Sequence, residues 1–273
     1  MGIREVISAD GTGIVYRSSG PDGARPLVLL HGWSADLRCW GGAADDLARR
    51  FRVLAVDSRG HGYSGAPATG YDDPATWAAD IAAVLADAGI ERGAVLLGWS
   101  YGGIVLTDYL AAHGTGAVAG AIYTGSMANI GRDVPGAEPG PALAAAMPGV
   151  FEESPGRALR AFGAFGDANT GPSRERGVDA QRLFGASLAT PPAVRKALFY
   201  RTVDNTAVLR ALDIPVLVLH GTDDPVVPVA NGRYIAETAP RARASYWEGA
   251  KHGLFLEDRA RWVAEVTEFA DSL

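Results

Sequence analysis

Residues 94–102 read Ala94-Val95-Leu96-Leu97-Gly98-Trp99-Ser100-Tyr101-Gly102, and this stretch decides the fold. The apolar run 94–97 suits a strand buried on both faces, as in a parallel sheet covered by helices. The next five residues fit Gly-x-Ser-x-Gly, and a helical run to about His113 follows. In a strand–turn–helix context that pentapeptide has a steric meaning. Ser100 must occupy a sharp turn with strained dihedrals, so that its hydroxyl projects from the C-terminal edge of the sheet. Side chains at 98 and 102 would collide with the adjoining strand and helix, hence the two glycines. The helix beyond the serine offers unpaired N–H groups and the positive end of its dipole. Taken alone, the five residues also fit a βα turn with an incidental serine. Their neighbours have to decide.

Outward from Ser100 the same grammar repeats. Residues 27–30 are a continuous apolar run that ends at His31-Gly32-Trp33, and Arg52–Val56 is another that ends at Asp57-Ser58-Arg59-Gly60-His61-Gly62. A helix is expected over 74–88, with Pro74 in its first turn and Gly89 as its stop. Val118–Thr124 reads as a further strand. Residues 3–8 and 13–18, joined through Asp10-Gly11, read as an antiparallel hairpin. After residue 205 the alternation resumes: a strand at 215–219, a helix at Val229–Thr238, a strand near 243–247 and a last helix from about Arg259. Between these halves, residues 126–205 contain helical segments and Gly/Pro breaks at 135–141 and 166–172, but no clear strand. The expected architecture is one α/β domain, with a mostly parallel sheet of the eight-stranded type and helices on both faces. Residues 1–125 and 206–273 form its core, and 126–205 an inserted helical lid.

Each apolar strand delivers polar residues to the same edge. An oxyanion hole needs two backbone donors aimed at one point. The N–H of Tyr101, directly after the serine, is one; Trp33, in the loop after an earlier strand, is placed to give the other. The Trp33 and Trp99 side chains are candidates to line the substrate pocket. His31 reads as a residue that orders its loop. In Leu219-His220-Gly221-Thr222-Asp223-Asp224-Pro225-Val226-Val227-Pro228 an acid at the strand's end would fix an imidazole tautomer and stabilise the imidazolium. Asp224, before Pro225 and four residues ahead of the helix-starting Pro228, is favoured over Asp223, which suits a solvated turn or cap. His252, on the loop between the last strand and last helix, is the expected base. His220 is its one rival; His61 and His113 read as structural.

Composition narrows the partners. A net charge of −6 across 273 residues, with no basic run, argues against a nucleic-acid partner. No apolar run approaches the roughly 20 residues of a membrane span, and Glu5 stands where a signal peptide would be apolar, so the expected location is the cytoplasm. Cys39, the sole cysteine, reads as a buried small hydrophobe. With no clustered metal-ligand spacing and no Gly-x-Gly-x-x-Gly after a strand, neither a metal nor another cofactor is implied. The expected partner is a small molecule, and the oligomeric state is not legible.

Together these segments resemble the α/β-hydrolase superfamily over essentially the whole chain. The subgroup they are most similar to contains small esterases, lactonases, perhydrolases and cofactor-free non-haem haloperoxidases. The resemblance rests on His31-Gly32-Trp33, on 57–64, on Gly98-Trp99-Ser100-Tyr101-Gly102-Gly103, on 220–224 and on 248–253. It implies Ser100 as nucleophile, Asp224 as acid, His252 as base and the Trp33 and Tyr101 amides as oxyanion donors. It also implies hydrolysis of an ester or lactone of a small apolar molecule. Perhydrolysis, C–C bond cleavage or another tailoring reaction on the same triad is the alternative, and a small-molecule receptor a more distant one. Members of the subgroup often carry Met or Thr where this chain has Tyr101. Phe151, Phe162, Phe165, Phe184, Phe199 and Tyr200, with Met127 and Met147, are divided between lining an apolar pocket and packing the lid onto the core.

Overall fold

The computed structural model describes residues 2–169 and 176–273. In chain order its elements are β1 (Gly2–Ile7), β2 (Gly13–Ser19), β3 (Pro26–Leu30), α1 (Gly41–Leu47), β4 (Arg52–Val56), α2 (Pro74–Asp87), β5 (Ala94–Trp99), α3 (Gly102–His113) and β6 (Val118–Thr124). Then come α4 (Pro141–Val150), α5 (Pro155–Asn169), α6 (Arg176–Ala189), α7 (Pro192–Phe199), α8 (Thr206–Ala211), β7 (Val216–Gly221), α9 (Val229–Thr238), β8 (Ala242–Trp247), α10 (Leu254–Glu257) and α11 (Arg259–Asp271). A 3₁₀ turn over Leu37–Trp40 precedes α1.

All eight strands form one sheet in the order β1-β2-β4-β3-β5-β6-β7-β8. The pairs β1–β2 and β2–β4 are antiparallel, and the remaining pairs are parallel. The chain winds from β3 outward to β4, then returns across β3 to lay down β5 on its other side. That reversal opens a crevice beyond the carboxyl ends of β3 and β5, where open α/β sheets hold their ligands.

Period-2 alternation divides the core between the faces of the sheet. Val28, Leu30, Leu54, Val56 and Leu96 pack with Trp77 and Val84 of α2, Ile104 of α3 and Ile235 of α9. Leu27, Leu29, Val53, Val95 and Leu97 face Leu47 of α1 and Trp262, Val266 and Phe269 of α11. Trp77 and Trp262 are no more than 1% exposed; truncating either to alanine would cost about 3–5 kcal/mol. Local signals agree with this packing. Asp73 caps α2 through the Ala75 N–H at 2.9 Å, Pro74 opens the helix, and Gly89 at φ +66° follows its end.

Helices α4 to α8 lie between β6 and β7, and an isolated antiparallel bridge pairs Ile130 with Val203. The expected break at 166–172 differs: Gly166 lies inside α5, and 170–172 fall outside the described residues. Among the described residues no helix is long and apolar enough to cross a membrane.

Candidate active site

Ser100 has φ +56°, in the left-handed region that non-glycine residues rarely enter. The surrounding sequence makes that strain possible. A Cβ at Gly98 would press on the backbone of Gly102 and Gly103, and one at Gly102 would strike the Leu30 carbonyl. The Ser100 N–H donates to the Thr124 carbonyl at 3.2 Å, and its carbonyl accepts the Ser126 hydroxyl at 2.6 Å. The turn is therefore tied to the end of the neighbouring strand. Tyr101 caps the N-terminus of α3, so its N–H belongs to the positive end of a twelve-residue helix dipole.

The loop after β3 lies against this turn. A Cβ on Gly32 would come within 2.9 Å of the Ser100 Cβ, so only glycine lets the backbone approach the serine so closely. Two buried histidines hold this loop. His31 Nδ1–H donates to the Gly32 carbonyl at 2.8 Å and Nε2 accepts from the Ser58 N–H at 3.0 Å. His61 Nδ1–H donates to the Arg59 carbonyl at 2.9 Å and Nε2 accepts from the Ser34 N–H at 3.3 Å. Each ring uses one nitrogen as donor and the other as acceptor, so both are neutral and structural. Burial holds His61 down to about 3. His113 is exposed at the end of α3, stacked on Tyr109. Cys39 is buried, and desolvation pushes its thiol up.

At the end of β7 the two aspartates part. Asp223 is exposed, and its carboxylate meets the Thr222 hydroxyl at 3.3 Å. Asp224 is 6% exposed and turns inward. Its Oδ1 accepts the N–H groups of Val226 at 2.8 Å and Val227 at 2.9 Å, while Oδ2 accepts His252 Nδ1–H at 2.7 Å. Burial by itself would raise the Asp224 carboxyl. The charge of a protonated His252 and hydrogen bonds from His220 and His252 outweigh that and hold it well below the usual carboxylate range. His220, the rival base, has its Nε2 3.4 Å from the same Asp224 Oδ2 that meets His252 and is not among the residues lining the cavity.

Ser100, His252, Trp33, Trp99 and Tyr101 all line one cavity of about 830 Å³ between the strand ends and the insertion. Asp224 stands behind His252. Most of the wall is apolar: Met127, Leu143, Met147, Phe165, Phe199, Tyr200, Val226 and Val227 contribute, with Arg132, Asp133 and Glu138 bringing charge from the 130–139 segment. Phe151, Phe162 and Phe184 pack against the core instead. Trp33 joins loop and insertion, with its ring 5.2–6.3 Å from those of Phe151, Phe162, Phe165 and Phe199, and its indole N–H on the Arg195 carbonyl at 3.0 Å.

Three features escaped the sequence reading. The Trp99 indole N–H donates to the His252 carbonyl at 3.1 Å and its ring lies 5.3 Å from the imidazole, so this cavity-lining residue also holds the histidine loop. Gly125, at φ +49°, leaves space beside His252 and Asp224 that a Cβ would take. Buried Arg201 donates an N–H to the Tyr101 hydroxyl at 3.4 Å, pairs with buried Asp108 and lies over Trp77. The tyrosine that departs from the subgroup pattern thus has a buried polar partner. Each contact joins segments distant in sequence; only the glycine directly after β6 left a local signal.

Comparisons with known proteins identify the family. A family model described as the alpha/beta hydrolase family matches residues 27–266. A crystal structure of an esterase from Rhodococcus sp. ECU1013 is 56% identical and superposes with a TM-score of 0.98, covering 100% of both chains. A non-heme chloroperoxidase from Streptomyces lividans is 36% identical over 91% of this chain and 92% of its own. A non-heme haloperoxidase from Rhodococcus erythropolis is 32% identical over 98% and 99%. The chain belongs to the alpha/beta hydrolase family, in its esterase and haloperoxidase subgroup.

Proposed function

We propose that this carboxylic ester hydrolase cleaves esters or lactones of small apolar molecules through an acyl-enzyme on Ser100. The observation that carries the reading is the buried 2.7 Å contact of His252 Nδ1 with Asp224 Oδ2, behind a cavity that His252 shares with a strained Ser100. With Nδ1–H committed to Asp224, Nε2 is the ring atom free to take a proton. Ser100 Oγ attacks the carbonyl carbon while His252 accepts the hydroxyl proton. The Trp33 and Tyr101 amides receive the charge that develops on the carbonyl oxygen. The ester C–O bond then breaks, and the alkoxide leaves with the proton from His252. Water, deprotonated by the same imidazole, attacks the acyl-enzyme and regenerates the serine. Trp33 and Trp99 bound the substrate, and helices α4–α7 form the lid over it.

Hydrolysis of p-nitrophenyl esters from acetate to octanoate, alongside Ser100→Ala, tests this reading. Turnover abolished by the substitution supports it, and a folded protein without Ser100-dependent turnover overturns it. The haloperoxidase relatives favour one second reading, in which hydrogen peroxide replaces water as acyl acceptor and a peracid leaves. Peracid formation from ester plus peroxide, again lost in Ser100→Ala, distinguishes the two.

A further inference from the structure

His220 is the one imidazole next to the Asp224 carboxylate for which the proposed reaction has no use. It is the next-to-last residue of the apolar strand β7, is fully buried, and stays outside the cavity lining. Its Nε2 lies 2.8 Å from the Val227 carbonyl, which can only accept, so the ring carries its proton there. The same N–H lies 3.4 Å from Asp224 Oδ2. The opposite nitrogen, Nδ1, is buried without a hydrogen-bond partner. Gly232 of α9 presses against that side of the ring, where even a Cβ would collide with Nδ1. An imidazole with one nitrogen unsatisfied is a costly way to fill an apolar strand end, and such a group calls for an explanation.

The turn at 224–227 supplies one. The Val226 and Val227 N–H groups bind Asp224 Oδ1 from inside the turn, while His220 grips the Val227 carbonyl from outside. With Oδ1 pinned, Oδ2 faces His252 Nδ1 at 2.7 Å and His220 Nε2 at 3.4 Å. We propose that His220 is a positioning residue: its Nε2–H holds the 224–227 turn so that Asp224 presents Oδ2 to His252. The inference rests on the proposed triad, and His220 acts through Asp224 rather than on the substrate.

The test compares His220→Leu, which keeps bulk and removes the donor, with His220→Gln, whose amide nitrogen can reach the former Nε2 position. Kinetics on p-nitrophenyl butyrate are normalised to sites titrated with a fluorophosphonate, so unfolded protein does not count. His220→Leu is expected to lower kcat per titrated site by about 10–100-fold, the scale of small misplacements of a reacting group, with KM changed less than about two-fold. His220→Gln should recover most of that loss. In an Asp224→Asn background the leucine should cost less than about three-fold, because both changes then act through the same carboxylate. Full kcat per site in His220→Leu, or an undiminished loss on top of Asp224→Asn, overturns the inference. A readout independent of turnover is the low-field ¹H resonance of the His252 Nδ1 proton, assigned by its disappearance in His252→Ala. His220→Leu should shift or broaden it, and an unchanged resonance also refutes the positioning role. Wild-type protein with no Ser100-dependent turnover would sink the triad reading instead, and this resonance would still decide the role of His220.

Discussion

The floor and the roof of the cavity are built on different physical terms. On the floor, Ser100, Asp224 and His252 stand just beyond strand ends, fixed by a left-handed turn, paired backbone N–H groups and the Trp99 indole on the His252 carbonyl. In the roof, Phe165 and Phe199 are held by rings packed around Trp33, with centroids 6.2 and 5.2 Å away. Hydrogen-bonded geometry is intolerant, because a displacement of about 1 Å at a reacting group can cost 10²-fold in rate. Ring packing is a sum of small terms, each pair worth about 0.5–1.5 kcal/mol beyond its buried area. The floor should therefore set rate, and the roof should set selectivity and contribute to stability.

The largest test of that division lies on the floor. Ser100→Ala and His252→Ala should each lower kcat roughly 10⁴-fold or more, as in other serine triads. Asp224→Asn follows, with a loss of roughly 10²–10⁴-fold, since it removes the acceptor that fixes the His252 tautomer. Exposed Asp223→Asn should cost less than about three-fold. Parallel kinetics on the two asparagine variants settle the matter, and comparable losses would remove Asp224 from its assigned place.

A smaller and different effect is expected from the roof. Phe199 is half-buried, edge-on to both Trp33 and Phe151. Phe199→Ala enlarges the cavity, so the preferred acyl chain should lengthen and KM for short esters should rise. kcat should fall less than about 10-fold, with destabilisation of about 1–3 kcal/mol because the ring is only partly buried. A loss of 10³-fold in kcat at unchanged KM would mean that the insertion positions the reacting groups, and the floor–roof division would fail.

Much of the floor was legible because each strand end announces itself. A buried apolar run, then a glycine and a polar residue, leaves few other structures, and Ser100, Asp224 and His252 occur in the order the fold requires. What holds those residues was not legible. Trp99 with the His252 carbonyl, Gly125 with the His252–Asp224 pair and Arg201 with Tyr101 are tertiary adjacencies between distant segments. In the roof, the side chains were visible but not their roles. Phe162 and Phe165 are one turn apart on α5 and both touch Trp33, yet only Phe165 reaches the cavity. Helical spacing puts both on one face and cannot tell which turn meets open space. The short helices α8 and α10 were also missed, since runs of four to six residues carry little periodic signal.

The smallest expected effect concerns the loops beneath the floor, and its sign follows from a neutral histidine. His61 bridges the loops after β3 and β4 using one nitrogen as donor and the other as acceptor, so protonation would destroy the Ser34 contact. Burial lowers its folded-state value from 6.5 to about 3. The unfolded chain therefore binds the proton more readily, and the stabilisation is complete above about 6.5 and lost as pH falls toward 3. Between pH 6 and 4.5, above most carboxylate titrations, this residue should contribute a slope of at most ~1.4 kcal/mol per pH unit. His61→Asn keeps a donor for the Arg59 carbonyl but cannot titrate, so urea unfolding across that window should show a shallower acid dependence at a lower absolute stability. An unchanged slope would mean that His61 is already protonated in the folded protein. The Ser34 N–H would then lack its acceptor, and the backbone that sets Trp33 beside Ser100 would be held by something other than this ring.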